Sequence, residues 1–235
     1  MDWDSSGTND LLVGDVNGGV IIYKNTNTNL SPVLDSGTFV INNGDDRATP
    51  IVNDWDGNGK KDLIVGNLTG TIQIYMNQGT NENPSYGSYS NLQVGGVDFD
   101  FTIGNDRSAP RIYDWNVDGK KDILVGEVSG YIYYLQNYGT NNAPVFNSSQ
   151  KLLLADGTAL RYLTDPFNPN TSPRSRLDVT DWNNDGKADL VVGGADGRVM
   201  LFTAAPEPMS TTLFLVGSGV LGLSRLRKKF RDRRR

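Results

Sequence analysis

The chain of 235 residues contains no cysteine and no histidine. Without cysteine it can form neither a disulfide bond nor a thiol active site, and without histidine it lacks the commonest general base and transition-metal ligand. Hydrophobic residues make up only 37% of the sequence, whereas glycine occurs 27 times, which is typical of a chain with many turns. A chain of this length can still bury a sizeable core within one domain.

Four acidic loops of one design recur along the chain, and each contains one of the only four tryptophans. The loops read DWDSSGTND from residue 2, DWDGNGKKD from residue 54, DWNVDGKKD from residue 114 and DWNNDGKAD from residue 181. Oxygen-bearing side chains occupy loop positions 1, 3, 5 and 9, and glycine occupies position 6, where a sharp turn favours positive φ. Each loop gathers three carboxylates, and their mutual repulsion indicates a bound cation.

This layout predicts a calcium site in each loop. Ca²⁺ takes roughly six to eight oxygen ligands, and alternate residues of a tight loop can direct several of them at one centre while the carbonyl at position 7 adds another. The predicted ligands are Asp2, Asp4, Ser6, Thr8 and Asp10 in the first loop, Asp54, Asp56, Asn58, Lys60 and Asp62 in the second, Asp114, Asn116, Asp118, Lys120 and Asp122 in the third, and Asp181, Asn183, Asp185, Lys187 and Asp189 in the fourth, with Thr8 and the three lysines acting through their carbonyl groups.

Two other interpretations of the acidic loops were weighed. An EF-hand needs a bidentate glutamate at position 12, where the four copies have Val13, Val65, Val125 and Val192, so this class is excluded. Asp and Asn side chains also make Asx turns, and a single loop of this kind is usually a plain turn before a strand. Four copies in register favour the metal site over that alternative.

Each acidic loop is followed by the same order of predicted strands. An apolar run rich in β-branched residues and closed by glycine comes first, and a second run follows a short turn, so the two form a hairpin. A polar connection with Asn, Thr and Pro leads to a weaker apolar stretch and then to a strand that returns to the next acidic loop. Four strands per repeat is the number in a propeller blade. The weaker stretches are residues 39–41, 99–101 and 152–154, and the returning segments are residues 46–52, 106–112 and 172–179.

The pattern resembles the FG-GAP or VCBS-type repeat, in which an apolar strand, D-x-D-x-D-G-x-x-D, a second apolar strand and Val-Gly follow one another. The resemblance runs from Asp2 to Phe202 and implies an all-β fold, a calcium-bearing β-propeller of four-stranded blades. Residues 1–203 would contain three complete repeats and the first two strands of a fourth, with the tryptophans packed between neighbouring blades. Such propellers usually close with more blades, so we expect the chain to be a fragment of a larger or N-terminally truncated propeller.

The C-terminal part differs in composition from the repeats. Residues 204–208 form a linker that contains Pro206, Glu207 and Pro208, and residues 209–224 are largely apolar and uncharged. Eight of the last eleven residues, 225–235, are Lys or Arg. The apolar segment predicts a hydrophobic, transmembrane-like helix whose basic tail stays in the cytoplasm, which leaves the repeats outside. An ordinary membrane anchor is the alternative, whereas a tail that binds nucleic acid would have no use for the apolar segment.

Pro-Glu-Pro, a glycine-punctuated apolar stretch and a terminal arginine cluster resemble the PEP-CTERM sorting signal of Gram-negative bacteria. The resemblance implies that an exosortase-type membrane protease cuts near Pro206, Glu207 and Pro208 and delivers the protein to the cell envelope, the cell surface or the extracellular space. Export also requires an N-terminal signal peptide, yet Met1 directly precedes the first acidic loop. We therefore expect the leader and one or more blades to be encoded upstream.

These features predict an exported, calcium-stabilised propeller that binds a glycan or a protein as a surface or matrix adhesion module and is not an enzyme. Aromatic residues between the strands offer contact area for such a ligand. The alternative is a carbohydrate-active hydrolase or lyase that uses loop carboxylates such as Asp98, Asp100, Asp156 and Asp165. A third possibility is a scaffold within a longer adhesin, associating through unpaired blade edges. The candidate ligand-binding aromatics are Tyr86, Tyr89, Phe99, Tyr138, Phe146, Tyr162 and Phe167. For any single one of these aromatics, packing between blades is the favoured alternative.

Overall fold

The computed structural model describes residues 1–101, 107–162, 173–204 and 215–218, and every regular element among these residues is a β-strand. The all-β fold class is therefore confirmed for the described chain. The strands are β1 Leu11–Gly14, β2 Gly19–Tyr23, β3 Thr38–Asn42, β4 Thr49–Asn53, β5 Asp62–Gly66, β6 Ile72–Tyr75, β7 Ser90–Asn91, β8 Gln93–Val94, β9 Val97–Asp98, β10 Ala109–Tyr113, β11 Asp122–Gly126, β12 Ile132–Leu135, β13 Gln150–Lys151, β14 Arg176–Thr180, β15 Asp189–Gly193, β16 Val199–Ala204 and β17 Leu215–Ser218.

The strands form four consecutive antiparallel sheets, which we call blades 1 to 4. Blade 1 has the order β1-β2-β3, blade 2 β4-β5-β6-β7, blade 3 β10-β11-β12-β13 and blade 4 β14-β15-β16-β17, while β8 and β9 form a separate hairpin. Three sheets of four strands agree with the predicted propeller blades. The described strands show no closed ring, so closure of the propeller stays a prediction.

Each blade takes its innermost strand from the end of the preceding sequence repeat. The inner strand β4 pairs with β5 in a register that runs from Thr49 opposite Gly66 to Asn53 opposite Asp62. The second acidic loop is therefore the connection between these two strands of one blade. Because the sheets are shifted by one strand relative to the sequence repeats, blade 1 lacks an inner strand among the described residues, whereas blades 2, 3 and 4 each have four strands.

The core lies between neighbouring blades. The second strands β5 and β11 are buried along their whole length. Ile64 and Ile72 of blade 2 pack in one cluster with Ile123 and Leu135 of blade 3, and all four side chains are fully buried. The inner strands also meet in sequence, since β4 contacts β10 and β10 contacts β14. Inter-blade burial of this kind explains how a chain of modest hydrophobic content forms a core.

In blades 1 to 3, the glycine that closes the second strand is required by the approach of the next blade. A Cβ added to Gly66 would lie 2.3 Å from the carbonyl oxygen of Ser108 in blade 3, and one added to Gly126 would lie 2.4 Å from that of Ser175 in blade 4. Both distances are far below van der Waals contact, so no other residue fits there. The Val-Gly ending of the repeat thus records inter-blade packing.

The predicted third strands at residues 99–101 and 152–154 are wrong in position. In blade 2 the outer strand is β7 at Ser90–Asn91, and in blade 3 it is β13 at Gln150–Lys151. The apolar character of the predicted stretches has another cause, because Phe99 is 5% exposed and Leu152 is 7% exposed within the inter-blade clusters. The third strand predicted at residues 39–41 is confirmed within β3.

Part of the predicted C-terminal helix is a strand. Leu215–Ser218 pairs with β16 and completes blade 4, where the free edge of β16 presents unpaired backbone groups to an apolar segment. The other residues of 209–224, together with the Pro-Glu-Pro motif and the basic tail 225–235, lie outside the described residues, so the helix and the domain boundaries there stay predictions. None of the described residues forms a helix long and apolar enough to cross a membrane.

Candidate metal centres

Each acidic loop is a tight connection with two residues in the left-handed region. The glycine predicted to make the turn at position 6 has φ of 81° in the second loop and 84° in the third, at Gly59 and Gly119, which confirms the prediction. Position 4 also has positive φ, and there the third loop carries Val117 at 59° and the fourth Asn184 at 58°. A β-branched residue in this conformation is strained, so the loop geometry is imposed by more than local preference.

The structure brings together the carboxylates of the first two loops. Carboxylate oxygens of Asp54, Asp56 and Asp62 lie within 4.8 Å of one another, and the same holds for the triad at positions 1, 3 and 9 of the first loop. In the third and fourth loops, which the structure also describes, the three carboxylates do not converge to that distance. Those two loops have asparagine at position 3 in place of aspartate, so their carboxylates fall at positions 1, 5 and 9. The first-loop triad is Asp2, Asp4 and Asp10.

The aspartate at position 9 is a buried hydrogen-bond acceptor. Asp62 is 0% exposed, and its two oxygens accept the backbone N–H groups of Trp55 and Asn77, each at 2.8 Å. Burial raises the pKa of Asp62 above its ordinary value, with these hydrogen bonds opposing the shift and the charges of Asp56 and Asp54 adding to it. A nearby cation would remove the cost of keeping this carboxylate charged. Asp10, Asp122 and Asp189 accept the equivalent tryptophan N–H.

The aspartate at position 1 differs between the second and third loops. Asp54 accepts the N–H of Gly59 at 3.0 Å through one oxygen, while its Oδ1 is buried and has no hydrogen-bond partner. Asp114 uses both oxygens, which accept the N–H groups of Asp118 at 3.0 Å and Gly119 at 2.9 Å. A buried carboxylate oxygen without a donor is costly. The second loop therefore fits a hard divalent cation best, because its unpaired oxygen lies beside two further carboxylates.

Asx turns shape the same loops. The Oδ1 atom of Asp56 accepts the N–H of Asn58 at 3.1 Å, and the Oδ1 atom of Asn58 accepts the N–H of Lys60 at 2.7 Å. These contacts agree with the plain-turn alternative, yet each oxygen keeps a second lone pair for a metal. In the first loop, Lys24 Nζ lies 3.1 Å from Asp4 Oδ2 and supplies positive charge. The pKa of Asp4 is lowered, because hydrogen bonds from Ser6 and the Lys24 contact outweigh the opposing effect of burial.

Neighbouring loops are joined by the lysine at position 8. Lys61 of the second loop donates from Nζ to the carbonyl oxygens of Asp2 at 2.6 Å and Trp3 at 3.2 Å in the first loop. Lys121 of the third loop donates in the same way to the carbonyl of Asp54. Lysine-to-carbonyl hydrogen bonds thus connect each of these acidic loops to the loop of the preceding blade. The sequence analysis did not predict these bonds.

A repeated asparagine clamp was also missed. Asn81 accepts the N–H of Lys61 at 2.8 Å and donates to the carbonyl of Gly59 at 2.9 Å, so it bridges two backbone groups of the second loop. Asn77 binds the following connection through its side chain, accepting N–H groups from Gly79 at 2.9 Å and Ser85 at 3.1 Å. The signal was present as the recurring Asn-x-x-x-Asn of the polar connections. The equivalent residues are Asn29 and Asn141, and Asn25 and Asn137.

The tryptophans pack as predicted in the first three loops only. Trp3 is 2% exposed and lies 6.1 Å from the Tyr86 ring of blade 2, while Trp55 stacks at 6.2 Å on Phe146 of blade 3. Trp115 is likewise buried, at 3% exposure. Trp182 of blade 4 is 59% exposed, so the predicted packing between blades is not seen there among the described residues.

Several candidate ligand-binding aromatics belong to the core instead. Phe99, Phe146 and Tyr162 are buried, which agrees with the alternative of packing between blades and contradicts a role in ligand contact. Tyr89 and Tyr138 are exposed, at 46% and 51%. Among the loop carboxylates proposed for catalysis, Asp98, Asp100 and Asp156 are exposed, while Asp165, like Phe167, lies outside the described residues. Asp98 accepts hydrogen bonds from Asn91 and Gln93, and Asp156 from Thr158.

Comparison with known proteins gives a family model for the middle of the chain and solved structures of low similarity over most of it. No curated protein gives a match. The crystal structures of BBS1N in complex with ARL6DN, soaked with lead or with mercury, are similar at TM-scores of 0.39 and 0.42 and identities of 16% and 15%. The similarity covers 93% and 92% of this chain, which spans only 56% of the length of either solved chain. Residues 54–125, from the first aspartate of the second acidic loop to the buried strand of blade 3, match the family model of the FG-GAP-like repeat.

Proposed function

We propose that the chain is an exported, calcium-stabilised β-propeller module of the FG-GAP or VCBS type. It acts at the cell surface or in the extracellular matrix, where it binds a glycan or a protein and catalyses no reaction. Its C-terminal segment crosses the membrane until an exosortase-type protease processes it near Pro206, Glu207 and Pro208. Nucleic acid is not a partner in this proposal, because the repeats carry most of the acidic residues of the chain.

One observation carries the calcium part of the proposal. In the second acidic loop three carboxylates lie within 4.8 Å of one another, and Oδ1 of Asp54 is buried without a donor. Asp54, Asp56 and Asp62 would hold the ion, and Asn58 and the carbonyl of Lys60 would complete an all-oxygen set of the kind that Ca²⁺ prefers. The ion would supply positive charge to the junction of inner and second strands.

Calcium would act on stability through linkage. An ion that binds only the folded loop stabilises it by an amount that grows with the logarithm of free calcium over the dissociation constant. Extracellular modules commonly bind calcium with dissociation constants of roughly 10⁻⁴ to 10⁻³ M. Such affinity suits a module that completes its folding only after export, where calcium is abundant.

The calcium part is tested by titrating the full chain with Ca²⁺ in a calorimeter and by native mass spectrometry. We expect bound calcium on the folded protein and a weaker first binding event in Asp54→Asn, which removes one charge from the triad. Asp98→Asn is the matched control, because it removes the same charge from the exposed β8–β9 hairpin. Folded protein that takes up no calcium at millimolar concentration would refute this part of the proposal.

The export part is tested separately in a bacterium that carries an exosortase. We expect the full chain, expressed behind a bacterial signal peptide, to reach the envelope and to lose its basic tail. Replacement of Pro206, Glu207 and Pro208 by alanine should leave the unprocessed protein in the membrane. Retention of the unmodified chain in the cytoplasm would argue against export while leaving the calcium result intact.

A further inference from the structure

Four arginines gather at the end of the inner strands that lies opposite the acidic loops. Arg47, Arg107 and Arg174 each lie two residues before the start of an inner strand, and Arg176 is itself the first residue of β14. All four line one cavity of about 30 Å³, together with Glu127. We call these four residues the arginine cluster. They come from three different blades and lie together because the inner strands of neighbouring blades meet.

Three of these arginines share the same backbone conformation and the same type of backbone hydrogen bond. Arg47, Arg107 and Arg174 have φ of 65°, 25° and 51°, so each is held in the left-handed region that favours glycine. Their N–H groups donate to the hairpin of the preceding blade, at carbonyl oxygens of Val16 (3.1 Å), Leu68 (3.1 Å) and Val128 (2.9 Å). An arginine retained in a strained position in three successive repeats indicates a use for its side chain.

The guanidinium groups lack acceptors in the described protein. None of the four arginines forms an ion pair with an acid among the described residues, and the buried Nε of Arg107 has no hydrogen-bond partner. Desolvation and the neighbouring charges of Arg174, Arg47 and Arg176 lower the pKa of Arg107 to about 10. Like charges are thus brought together in a partly dry site, at a cost that an anion would offset.

The acids near the cluster have other partners. The two carboxylate oxygens of Glu127 accept the N–H groups of Ser129 at 2.6 Å and Tyr131 at 2.8 Å. Asp45 accepts from Thr69, with its Oδ2 at 2.7 Å from the threonine hydroxyl. Asp46 is exposed and lies beyond ion-pair distance of the described arginines. The chain itself therefore provides no counter-ion for the cluster within the described residues.

We propose that the arginine cluster is a binding site for a sulfate or phosphate group, either free or carried by a larger molecule such as a glycan. A compact, multiply charged oxyanion matches several guanidinium groups at once, since each can donate two parallel hydrogen bonds to it. The small cavity favours a compact group over an extended ligand. This site shares no residue with the proposed calcium sites, because it lies at the opposite end of the inner strands from the acidic loops.

The test is a calorimetric titration of the full chain in saturating calcium with sodium sulfate, against sodium chloride at the same ionic strength. A sulfated glucan and its unsulfated form are titrated in parallel. We expect sulfate, the sulfated glucan or both to bind, and binding to weaken about tenfold or more in Arg107→Gln, which loses a charge-assisted contact. Lys151→Gln, which removes the same charge from the outer strand β13, should leave the affinity within about twofold.

Each outcome bears on the proposal. Binding of free sulfate assigns the site to a small ion, and binding of the sulfated glucan alone assigns it to a group on a polymer. Equal binding in the wild type and in Arg107→Gln, or no binding of either probe by the folded wild type, would overturn it. Circular dichroism of each variant confirms the fold. A folded wild type that takes up no calcium, yet binds sulfate and loses that binding in Arg107→Gln, would refute the calcium proposal alone.

Discussion

The two ends of the inner strands carry opposite charge, although the same strands run between them. At one end, the acidic loops join each inner strand to the second strand of its blade. The arginine cluster lies at the opposite end of the inner strands, which is about 14 Å away along a five-residue strand such as β4. The acids are held by backbone N–H groups and leave few oxygens unpaired, whereas the arginines have no acceptor among the described residues. Most acidic oxygens thus have partners within the chain, apart from the unpaired Asp54 oxygen at the proposed calcium site, whereas the basic end is left to an external anion.

Removal of calcium should produce the largest effect and should act through the acidic end. Each loop that releases an ion held at about 100 times its dissociation constant loses about 2.7 kcal/mol of stability. We expect chelator to lower the melting temperature of the full chain steeply, and added calcium to restore it. Urea unfolding with and without chelator measures the difference. Identical curves would mean that the loops are Asx turns that need no metal.

Asp62→Ala should be the most damaging single substitution, at a cost of about 2–4 kcal/mol, because it leaves the buried N–H groups of Trp55 and Asn77 without an acceptor. Most of this loss should persist in chelator, since the two N–H groups lose their acceptor whether or not metal is bound, and the part due to the lost calcium ligand should disappear. Asp56→Ala is the matched control and should cost stability only when calcium is present. A loss in Asp62→Ala that vanishes in chelator would show that this aspartate acts through the ion.

Ser108→Ala tests the basic end, where hydrogen bonds rather than metal ions connect neighbouring blades. The Ser108 hydroxyl accepts the N–H of Asn67 at 3.0 Å and donates to the carbonyl of Thr71 at 2.5 Å, both in the preceding blade. Its removal should cost about 1–2 kcal/mol in urea unfolding, with or without calcium. Ser88→Ala, at an exposed position, should be neutral. A calcium-dependent loss in Ser108→Ala would contradict the separation of the two ends.

Arg47→Gly should stabilise the protein by up to about 1 kcal/mol in the absence of sulfate. It relieves a left-handed backbone conformation and removes one like charge from the cluster. Arg111→Gly, inside β10 and paired with Asp178 at 3.4 Å, should instead be destabilising. Thermal unfolding at low salt measures both. A destabilised Arg47→Gly would show that Arg47 contributes to the fold rather than to a ligand site.

The smallest expected effect is on the pH dependence of the melting temperature, through Asp196 at the basic end. A hydrogen bond from Tyr162 and contacts with Arg198 lower the pKa of Asp196 to about 2. A depressed pKa adds stability that is present above the ordinary value of about 4 and is lost as the pH falls toward 2. Asp196→Asn should therefore weaken the dependence of melting temperature on pH in this window only. An unchanged pH profile in Asp196→Asn would contradict this assignment.

The sequence predicted what depends on short-range pattern. The acidic loops, their turn glycine and the hairpin that follows each loop were all found where expected, because each is defined within about 20 residues. The third strand of blade 2 was misplaced, since the apolar residues at 99–101 pack into a core between blades rather than forming a strand. An apolar stretch alone does not distinguish these two uses.

The arginine cluster was beyond sequence reasoning for a different reason. Arg47 and Arg107 are 60 residues apart (47 to 107), and Arg107 and Arg174 are 67 apart (107 to 174). Only the packing of inner strands from different blades brings them into one cavity. The recurring arginine before each returning strand was visible, but nothing local indicates that its copies converge. The convergence of three acids within one loop, in contrast, follows from their spacing.

The one-strand offset between sequence repeats and blades has a practical consequence for dissecting or re-engineering this chain. A segment cut from one acidic loop to the next would carry an orphaned inner strand and leave its own sheet incomplete. A segment that keeps its own sheet intact would instead begin at an inner strand and finish at the outer edge of the same sheet, as residues 49–91 do. Blade transplants, circular permutants and fusion junctions should therefore be placed just after an outer strand, where the severed chain interrupts no ladder.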